Sequence, residues 1–394
     1  MTSEWRTIRA ADFFDFNPRL SLKKGDIATK VAMDKLKPFT KKIPETEKAE
    51  FNGGAKFCNG DTVMARITPC LENGKTAYVD MLDDGEIGFG STEFIVMRAK
   101  TGISDPQFVY YTAINPVFRN VAVKSMVGSS GRQRVQQSVL EELELSVPDL
   151  DEQRRIGGFL AKIDEKIALN DRINDNLEQQ AQSYFQELFV DNADPEWTTG
   201  TISDLGAVVG GSTPSKAKPE YYTESGIAWI TPKDLSINKS KFVSHGENDI
   251  TELGLKNSSA AIMPEGTVLF SSRAPIGYIA IAAGEVTTNQ GFKSVVPKPE
   301  IGTPFVYFFL KNTLPVIEGM ASGSTFKEVS GSTMKNVPAV IPDAETLAKF
   351  SDFCAPIFAQ QRILEEQNQS LATLRDNLLP KLMSGEIDVS AVQL

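Results

Sequence analysis

Residue types that could perform catalysis are sparse in this sequence of 394 residues. His245 is the one histidine, so a Ser–His–Asp triad would have to use it, and a histidine-based metal site would have no second imidazole. Its setting between a serine and a glycine predicts a surface loop. The three cysteines, Cys58, Cys70 and Cys354, form no close pair. The sequence therefore predicts no metal site.

Motifs for nucleotide or methyl-donor binding are also incomplete. Asn73-Gly74-Lys75-Thr76 ends like a phosphate-binding loop, but Pro69 stands where the first glycine of that motif belongs. A hairpin turn is a better interpretation. Asn17-Pro18 and Asn115-Pro116 lack the second proline and the aromatic residue of an amino-methyltransferase motif. We therefore expect a protein without catalytic residues and without a cofactor.

Composition and charge restrict the class of protein. Hydrophobic residues make up 41% and charged residues 23%, and no apolar run reaches about 18 residues, which predicts a cytoplasmic protein with no membrane partner. The net charge is −10, which taken alone argues against nucleic-acid binding. Residues 1–150 are neutral, with 20 basic and 20 acidic side chains, whereas the later segments are acidic. Any DNA contact must come from local clusters of basic and polar residues.

The chain is a tandem repeat with an offset of 194 residues. Val147-Pro148-Asp149 corresponds to Ile341-Pro342-Asp343, and Asn174 corresponds to Asn368. Each half begins with a mixed region rich in glycine, proline and β-branched residues. Strands are predicted at residues 62–67 and 76–80 in the first half and at 267–271 and 278–282 in the second. A period of this length indicates a duplicated domain.

A long helix ends each half, and its apolar residues follow a heptad spacing of alternating fours and threes. The predicted seam positions are 156, 160, 163, 167, 170, 174, 177, 181, 184 and 188 in the first helix, and 350, 354, 357, 361, 364, 368, 371, 375, 378 and 382 in the second. Matching seams predict that the two helices pair with each other, although each could instead pack on its own domain. Pro380 should kink or end the second helix near Leu379. Polar seam residues should fix the register of the pair: Asn170, Asn174, Gln361 and Asn368.

These sequences resemble a known family, the specificity subunits of type I restriction–modification systems. VPDLDEQRRIGGFLAKIDEKI (147–167) and LRDNLLPKLMSGEI (374–387) are similar to the family's two spacers. GGSTPSKAKPEYY (210–222), IAWITPKDL (227–235), SSRAPIGYIAIA (271–282) and TNQGFKSVVP (288–297) are similar to its target-recognition domains. The first half departs from this pattern with MARITPCLENG (64–74), so the halves should recognise different DNA sequences.

The resemblance implies an α+β architecture with two tandem mixed α/β target-recognition domains, separated by two long helices that pair as an antiparallel coiled coil. The expected domains are residues 1–149 and 193–343, with spacer helices at 150–192 and 344–394. It also implies that the chain binds a bipartite site in double-stranded DNA. The expected protein partners are two modification subunits, which carry the methyl donor and the methyl transfer, and a restriction subunit in the full complex.

Loops rich in Arg, Lys, Asn, Gln, Ser and Thr are the candidates for DNA contact, because these side chains suit phosphates and base edges. In the first half the candidates are Arg66, Thr68, Asn73, Lys75, Ser91, Thr92, Ser129, Ser130, Arg132, Gln133 and Arg134. In the second half they are Ser212, Thr213, Ser215, Lys216, Arg273, Gln290, Lys293, Ser322, Ser324 and Lys327. Each could instead be a surface or turn residue, and the segments 128–134 and 322–327 could be helix-capping turns.

Two other functions remain open at this point. The chain could be a coiled-coil adaptor that binds only proteins, or a stand-alone DNA methyltransferase or nuclease. Absence of sequence-selective DNA binding in the presence of the modification subunit would favour the adaptor. Failure to bind a methyl donor would count against the enzyme.

Overall fold

The computed structural model describes residues 5–129, 131–323 and 327–391. The chain divides into two compact units. The first unit comprises Met1–Leu169 and Asn368–Leu394, and the second comprises Asn170–Gln367. Each unit therefore contains one mixed region and a part of both long helices.

The first unit contains two four-stranded sheets. One has the strand order Phe14–Phe16, Phe94–Ala99, Thr62–Ala65, Thr76–Tyr78, with antiparallel neighbours. The other has the order Glu47–Glu50, Ile27–Val31, Gly88–Gly90, Ala55–Phe57, with a parallel pair at its centre. Arg6–Arg9 pairs with Glu144–Val147 in a separate antiparallel ladder. The predicted hairpin strands at 62–67 and 76–80 are confirmed, each two residues shorter at its end.

The second unit arranges its strands differently. Its five-stranded sheet has the order Gly206–Gly210, Lys293–Pro297, Val268–Ser272, Ile276–Ala282, Phe242–Val243. The predicted strands at 267–271 and 278–282 form an antiparallel pair within this sheet. Three two-stranded ladders complete the strands: Thr198–Thr201 with Pro338–Ile341, Tyr222–Thr223 with Asp249–Ile250, and Trp229–Ile230 with Thr287–Thr288.

Short helices connect these strands. In the first unit they are Ala10–Phe13, Met33–Lys35, Pro106–Ile114, Pro116–Lys124, Gln137–Glu141 and Val389–Ala391. In the second unit they are Ile202–Leu205, Pro219–Tyr221, Pro232–Ile237, Glu252–Lys256, Thr303–Gly319 and Gly331–Lys335.

The first long helix is Leu150–Gln186, extended by a π-helical turn at Glu187–Asp191, and the second is Ala344–Met383. Both begin at the aspartate of the repeated Pro-Asp motif. The Asp149 carboxylate accepts the Glu152 N–H at 2.9 Å, and the Asp343 carboxylate accepts the Thr346 N–H at 2.9 Å. A side-chain oxygen at this position satisfies an N–H group that the helix itself leaves unpaired. The repeat therefore specifies where both helices start.

The heptad seam is present, since its predicted positions on both helices are buried or half-buried. One part of each long helix packs in the hydrophobic core of the first unit, and the other part packs in the core of the second unit. Leu160 of the first helix and Leu382 of the second lie in the core of the first unit, whereas Ala181 and Phe350 lie in the core of the second. Pro380 was predicted to kink or end the second helix near Leu379, and the helix does not end there. The helix continues to Met383 because Leu382 and Met383 bury their side chains in the first unit, which offsets the backbone hydrogen bond that Pro380 lacks.

Hydrogen bonds between the helices show that they run antiparallel within each unit. In the first unit, Asn368 Nδ2 donates to the carbonyl oxygen of Ile167 at 3.4 Å, and Arg375 Nη1 donates to Asp164 Oδ1 at 2.7 Å. In the second unit, Asn170 Nδ2 donates to Gln367 Oε1 at 3.4 Å, and Gln361 Nε2 donates to the carbonyl oxygen of Asn174 at 3.2 Å. Asn170, Gln361 and Asn368 therefore bond across the helix pair through their side chains, and Asn174 does so through its backbone carbonyl.

A buried lysine lies near the long helices in each unit. In the second unit, Lys241 Nζ donates to Gln361 Oε1 at 2.7 Å, forms an ion pair with Glu178, and lies 4.0 Å from the centroid of the Phe358 ring. In the first unit, Lys41 Nζ contacts the hydroxyl of Tyr111 at 3.3 Å. Burial lowers the pKa of both lysines, although neighbouring carboxylates oppose this shift. Lys241 therefore holds its mixed region on the helix pair directly, whereas Lys41 acts through Tyr111, whose hydroxyl donates to Asp164 of the first long helix.

Candidate nucleic-acid interface

A turn that is closed by a pair of backbone hydrogen bonds stands at the same place in both units. In the first unit, Val127 and Arg134 exchange backbone hydrogen bonds of 3.0 and 2.9 Å around glycines with positive φ at 128 and 131. In the second unit, Ser322 and Glu328 exchange bonds of 3.1 and 2.9 Å, and Gly323 has φ +126°. Only glycine adopts these conformations without strain, which explains the glycines of both predicted segments.

The turn joins the end of a central strand in each unit. The Val135 N–H donates to the carbonyl of Arg66, and the Val329 N–H donates to the carbonyl of Ser272, both at 2.9 Å. The same strand end accepts a loop on its other side. The N–H of Arg66 donates to the carbonyl of Glu93 at 2.9 Å, and the N–H of Ser272 to that of Gly291 at 2.7 Å. Turn, strand end and loop therefore form one junction, built alike in both units.

The junctions carry opposite charges at matching positions. Arg134 of the first turn binds Glu93 with Nε–Oε2 and Nη2–Oε1 distances of 2.9 and 2.6 Å. The Arg134 guanidinium holds the pKa of Glu93 below its ordinary value. The residue 194 positions after Arg134 is Glu328, whose carboxylate contacts Arg273 at 3.3 Å and Lys293 at 3.8 Å. Each junction therefore contains an arginine–glutamate pair. The turn supplies the arginine in the first unit and the glutamate in the second, where the arginine, Arg273, directly follows the strand end.

A polar groove of about 670 Å³ opens beside the junction of the second unit. It brings together four of the predicted residues, Thr213, Lys216, Arg273 and Gln290. The Thr213 hydroxyl donates to Gln290 Oε1. The groove is also lined by residues that the candidate set did not include: Tyr222, Trp229, Thr231, Pro232, Lys233, Asp234, Glu247, Asn248, Ala274, Asn289 and Gly291. Amide, hydroxyl and cationic groups thus converge in one concave surface.

The groove wall is fixed by a helix cap. Asp234 Oδ2 accepts the N–H of Thr231 at 2.7 Å, and its Oδ1 accepts the N–H of Glu247 at 2.9 Å. Trp229 Nε1 donates to the carbonyl of Ser212 at 3.0 Å on the opposite side. These bonds set the positions of Lys233 and the neighbouring groove residues. In the sequence, these groove residues belong to the motif IAWITPKDL. The motif indicated this part of the surface, but it did not show which of its residues line the groove.

The other candidates have varied surroundings. Asn73, Thr92, Ser129, Arg132, Ser215, Ser322 and Lys327 are exposed. Lys75 donates to the carbonyl of Met33 at 3.0 Å, Thr68 Oγ1 accepts the N–H of Gln133 at 3.0 Å, and Ser91 Oγ accepts the N–H of Glu93 at 3.1 Å. Ser130 and Ser324 lie outside the described residues. In the second unit, Ser330, which lies after the segment 322–327, caps the helix Gly331–Lys335.

Two acidic residues, Glu93 and Glu328, were missed because acidic side chains do not suit a phosphate. The charge reversal between Arg134 and Glu328 in the repeat was the available signal. His245 is exposed as predicted, with Nδ1 at 3.2 Å from Asp249. Within the described part of the chain, no three His, Cys, Asp or Glu side chains are grouped as metal ligands. The described helices include none with the length and apolar character needed to cross a membrane.

Comparison with known proteins gives consistent matches. The family model of the type I restriction modification DNA specificity domain matches residues 2–179 and 195–374. The chain is 39% identical over 194 residues to the type I restriction enzyme MjaIX specificity subunit of Methanocaldococcus jannaschii, a match that covers 47% of this chain and 45% of that protein. It is 24% identical over 407 residues to the HindI specificity subunit of Haemophilus influenzae, covering 83% and 86%.

A solved structure shares the fold. The S subunit of a type I restriction–modification system from M. genitalium aligns with a TM-score of 0.57 over 96% of both chains, at 18% sequence identity. The likeness therefore extends over both mixed regions and both long helices.

Proposed function

The chain belongs to the type I restriction–modification DNA specificity family, and we propose that it recognises a bipartite DNA site, one half with each mixed region. The repeated junction is the observation that carries this proposal. Both units build the same turn, strand end and loop, but they place different side chains on it. A shared framework with different polar groups suits two domains that bind DNA in the same way and select different bases.

The groove of the second unit supports a role in base recognition. Asn and Gln side chains can pair with adenine, Arg and Lys with guanine, and Thr with either. Asn248, Asn289, Gln290, Arg273 and Lys216 supply these groups from separate loops. Each of those loops is fixed by hydrogen bonds to its neighbours, so the groove is formed before DNA arrives.

We further propose that the chain works as a scaffold in the cytoplasm. Two modification subunits and a restriction subunit would bind it, and the modification subunits would supply the methyl donor and the methyl transfer. Non-specific affinity for DNA comes largely from phosphate neutralisation by basic residues. The net charge of −10 therefore supports the idea that the modification subunits supply many of the phosphate contacts. The chain itself would supply sequence selection.

A selection experiment tests this proposal. The chain is mixed with its modification subunit and a random DNA library at physiological salt, and the bound sequences are determined. The proposal predicts two conserved blocks separated by a spacer of fixed length, and weak, unselective binding by the chain alone. If no sequence is enriched with the modification subunit present, the result favours a protein adaptor. Tight, selective binding by the chain alone would show that the modification subunits are not needed for DNA contact.

A further inference from the structure

The arginine–glutamate pair at each junction leaves part of the guanidinium available. Arg134 uses Nε and Nη2 to bind both oxygens of Glu93, and among the described residues nothing contacts its Nη1. The Arg134 side chain is 47% exposed, and that of Glu93 is 23% exposed. The carboxylate thus lies on the inner side of the guanidinium, and the terminal nitrogens face outward.

The second unit also has an arginine–glutamate pair, in which the turn supplies the glutamate and the residue after the strand end supplies the arginine. Arg273 Nη1 lies 3.3 Å from Glu328 Oε2, and in the described part of the chain its Nε and Nη2 have no partner. Arg273 also lines the polar groove, together with Gln290 and Asn289. Lys293, at 3.8 Å from Glu328, helps to hold the carboxylate in place.

Guanine is the base that matches such an arginine. Its major-groove edge presents two acceptors, O6 and N7, that take parallel hydrogen bonds from two guanidinium nitrogens. An arginine on a flexible stem loses rotamer freedom when it forms this pair, and less so when it is already held. A carboxylate partner also reduces the attraction of the arginine to phosphate, which is the same for every sequence.

We propose that Arg134 and Arg273 each recognise a guanine in the half-site of its own unit, and that Glu93 and Glu328 are the positioning residues that orient them. The proposal rests on the bipartite recognition argued above. It explains why both junctions contain such a pair although its members come from different elements in the two units. It also explains why acidic residues stand within surfaces that otherwise suit DNA.

Glutamine variants test the positioning role, because glutamine keeps the size of glutamate and removes its charge. Glu93→Gln and Glu328→Gln are each assembled with the modification subunit, and methylation rates are measured on a panel of sites with every base pair changed in turn. We expect Glu93→Gln to reduce discrimination about tenfold at one G·C pair of one half-site. Glu328→Gln should do the same at one G·C pair of the other half-site, and Arg134→Ala should affect the pair that Glu93→Gln affects.

Two further variants serve as controls. Glu142→Gln removes an exposed ion pair with Arg9 in the first unit, and Glu265→Gln removes one with Arg362 in the second. Both should leave every position of the site as selective as before. Melting temperatures of all variants show whether each one is folded.

The outcomes separate this inference from the proposed function. Three outcomes for a folded Glu93→Gln complex would each overturn the positioning role. They are unchanged discrimination, an equal loss at all positions of the site, and a loss confined to A·T pairs. A wild-type complex that methylates no defined site would instead overturn the proposed function, and the inference with it.

Discussion

Asp164 and Arg375 form a buried ion pair that joins the two long helices within the first unit. Arg375 Nη1 lies 2.7 Å from Asp164 Oδ1, and the two side chains are only 8% and 6% exposed. Tyr111 donates its hydroxyl to the other carboxylate oxygen. The helix pair and the mixed region of this unit are therefore connected through one carboxylate.

Removing one partner of this ion pair should destabilise the protein strongly. Arg375→Met leaves the Asp164 carboxylate buried without its cation, which costs about 3–5 kcal/mol. The double variant Asp164→Asn with Arg375→Met should recover much of this loss, because asparagine still accepts the Tyr111 hydroxyl. Urea unfolding measures both free energies. Arg362→Met, which breaks exposed ion pairs, should cost less than about 1 kcal/mol, and an equal effect of Arg375→Met would contradict the account.

Glu178 should give the second unit a pH-dependent stability. Its burial raises the pKa, but Lys241 and Lys311 outweigh this and hold the pKa below its ordinary value of 4.5. A lowered pKa in the folded protein means that the contribution is complete above about pH 4.5 and is lost as the pH falls through the folded value. The difference in unfolding free energy between wild type and Glu178→Gln should thus be constant from pH 7 to 5 and shrink below pH 4.5. If the difference in unfolding free energy instead grows below pH 4.5, the pKa of Glu178 is not lowered in the folded protein.

Arg132 should contribute to DNA affinity without selecting a sequence. It is exposed on the first turn, and within the described ranges no carboxylate pairs with it. Arg132→Ala should weaken binding to all sequences alike and lower the salt slope by about 1. Its unfolding free energy should change by less than about 0.5 kcal/mol. Lys48→Ala, an exposed lysine paired with Glu86 in the same unit, is the matched control. If the two variants bind DNA with equal affinity, Arg132 does not contact DNA and the turn has only a structural role.

The long helices could be predicted because their pattern depends on local spacing alone. Seam residues such as Ile156 and Leu364 are buried as the heptads require. The extra turn after Pro380 could not be predicted, since it depends on where the core of the first unit lies.

The contacts of the site could be predicted only in part. Loops rich in polar residues identified Gln290 and Arg273, but not the groove that joins them. Lys241 and Glu178 are far apart in the sequence and belong to no repeating pattern. Their contact forms only because the fold places the strand Phe242–Val243 beside the first long helix. Glu93 was missed because its role depends on an arginine 41 positions later. The predicted boundaries at residues 149, 192 and 343 stay predictions.

The length of the paired helices should set the spacing of the DNA site. Seven residues added to both helices, between residues 169 and 170 and between 367 and 368, keep the seam in phase. They lengthen each helix by about 10 Å at about 1.5 Å per residue. The preferred spacer should become longer, and methylation of sites that differ only in spacer length measures this. Two added residues shift the seam out of phase and should abolish binding or folding. If the heptad variant keeps the original spacer, the helices do not set it.

The central claim, that this chain selects both halves of one DNA site, is tested most directly by mapping methylated bases in a host genome. Three strains are compared: one with the modification subunit alone, one with this chain added, and one with the variant Asn289→Ala, Gln290→Ala. The account predicts a bipartite methylated motif only when the chain is present, and the variant should relax one half of that motif while the other half stays unchanged. The same methylation without the chain, or a single uninterrupted motif, would contradict the account.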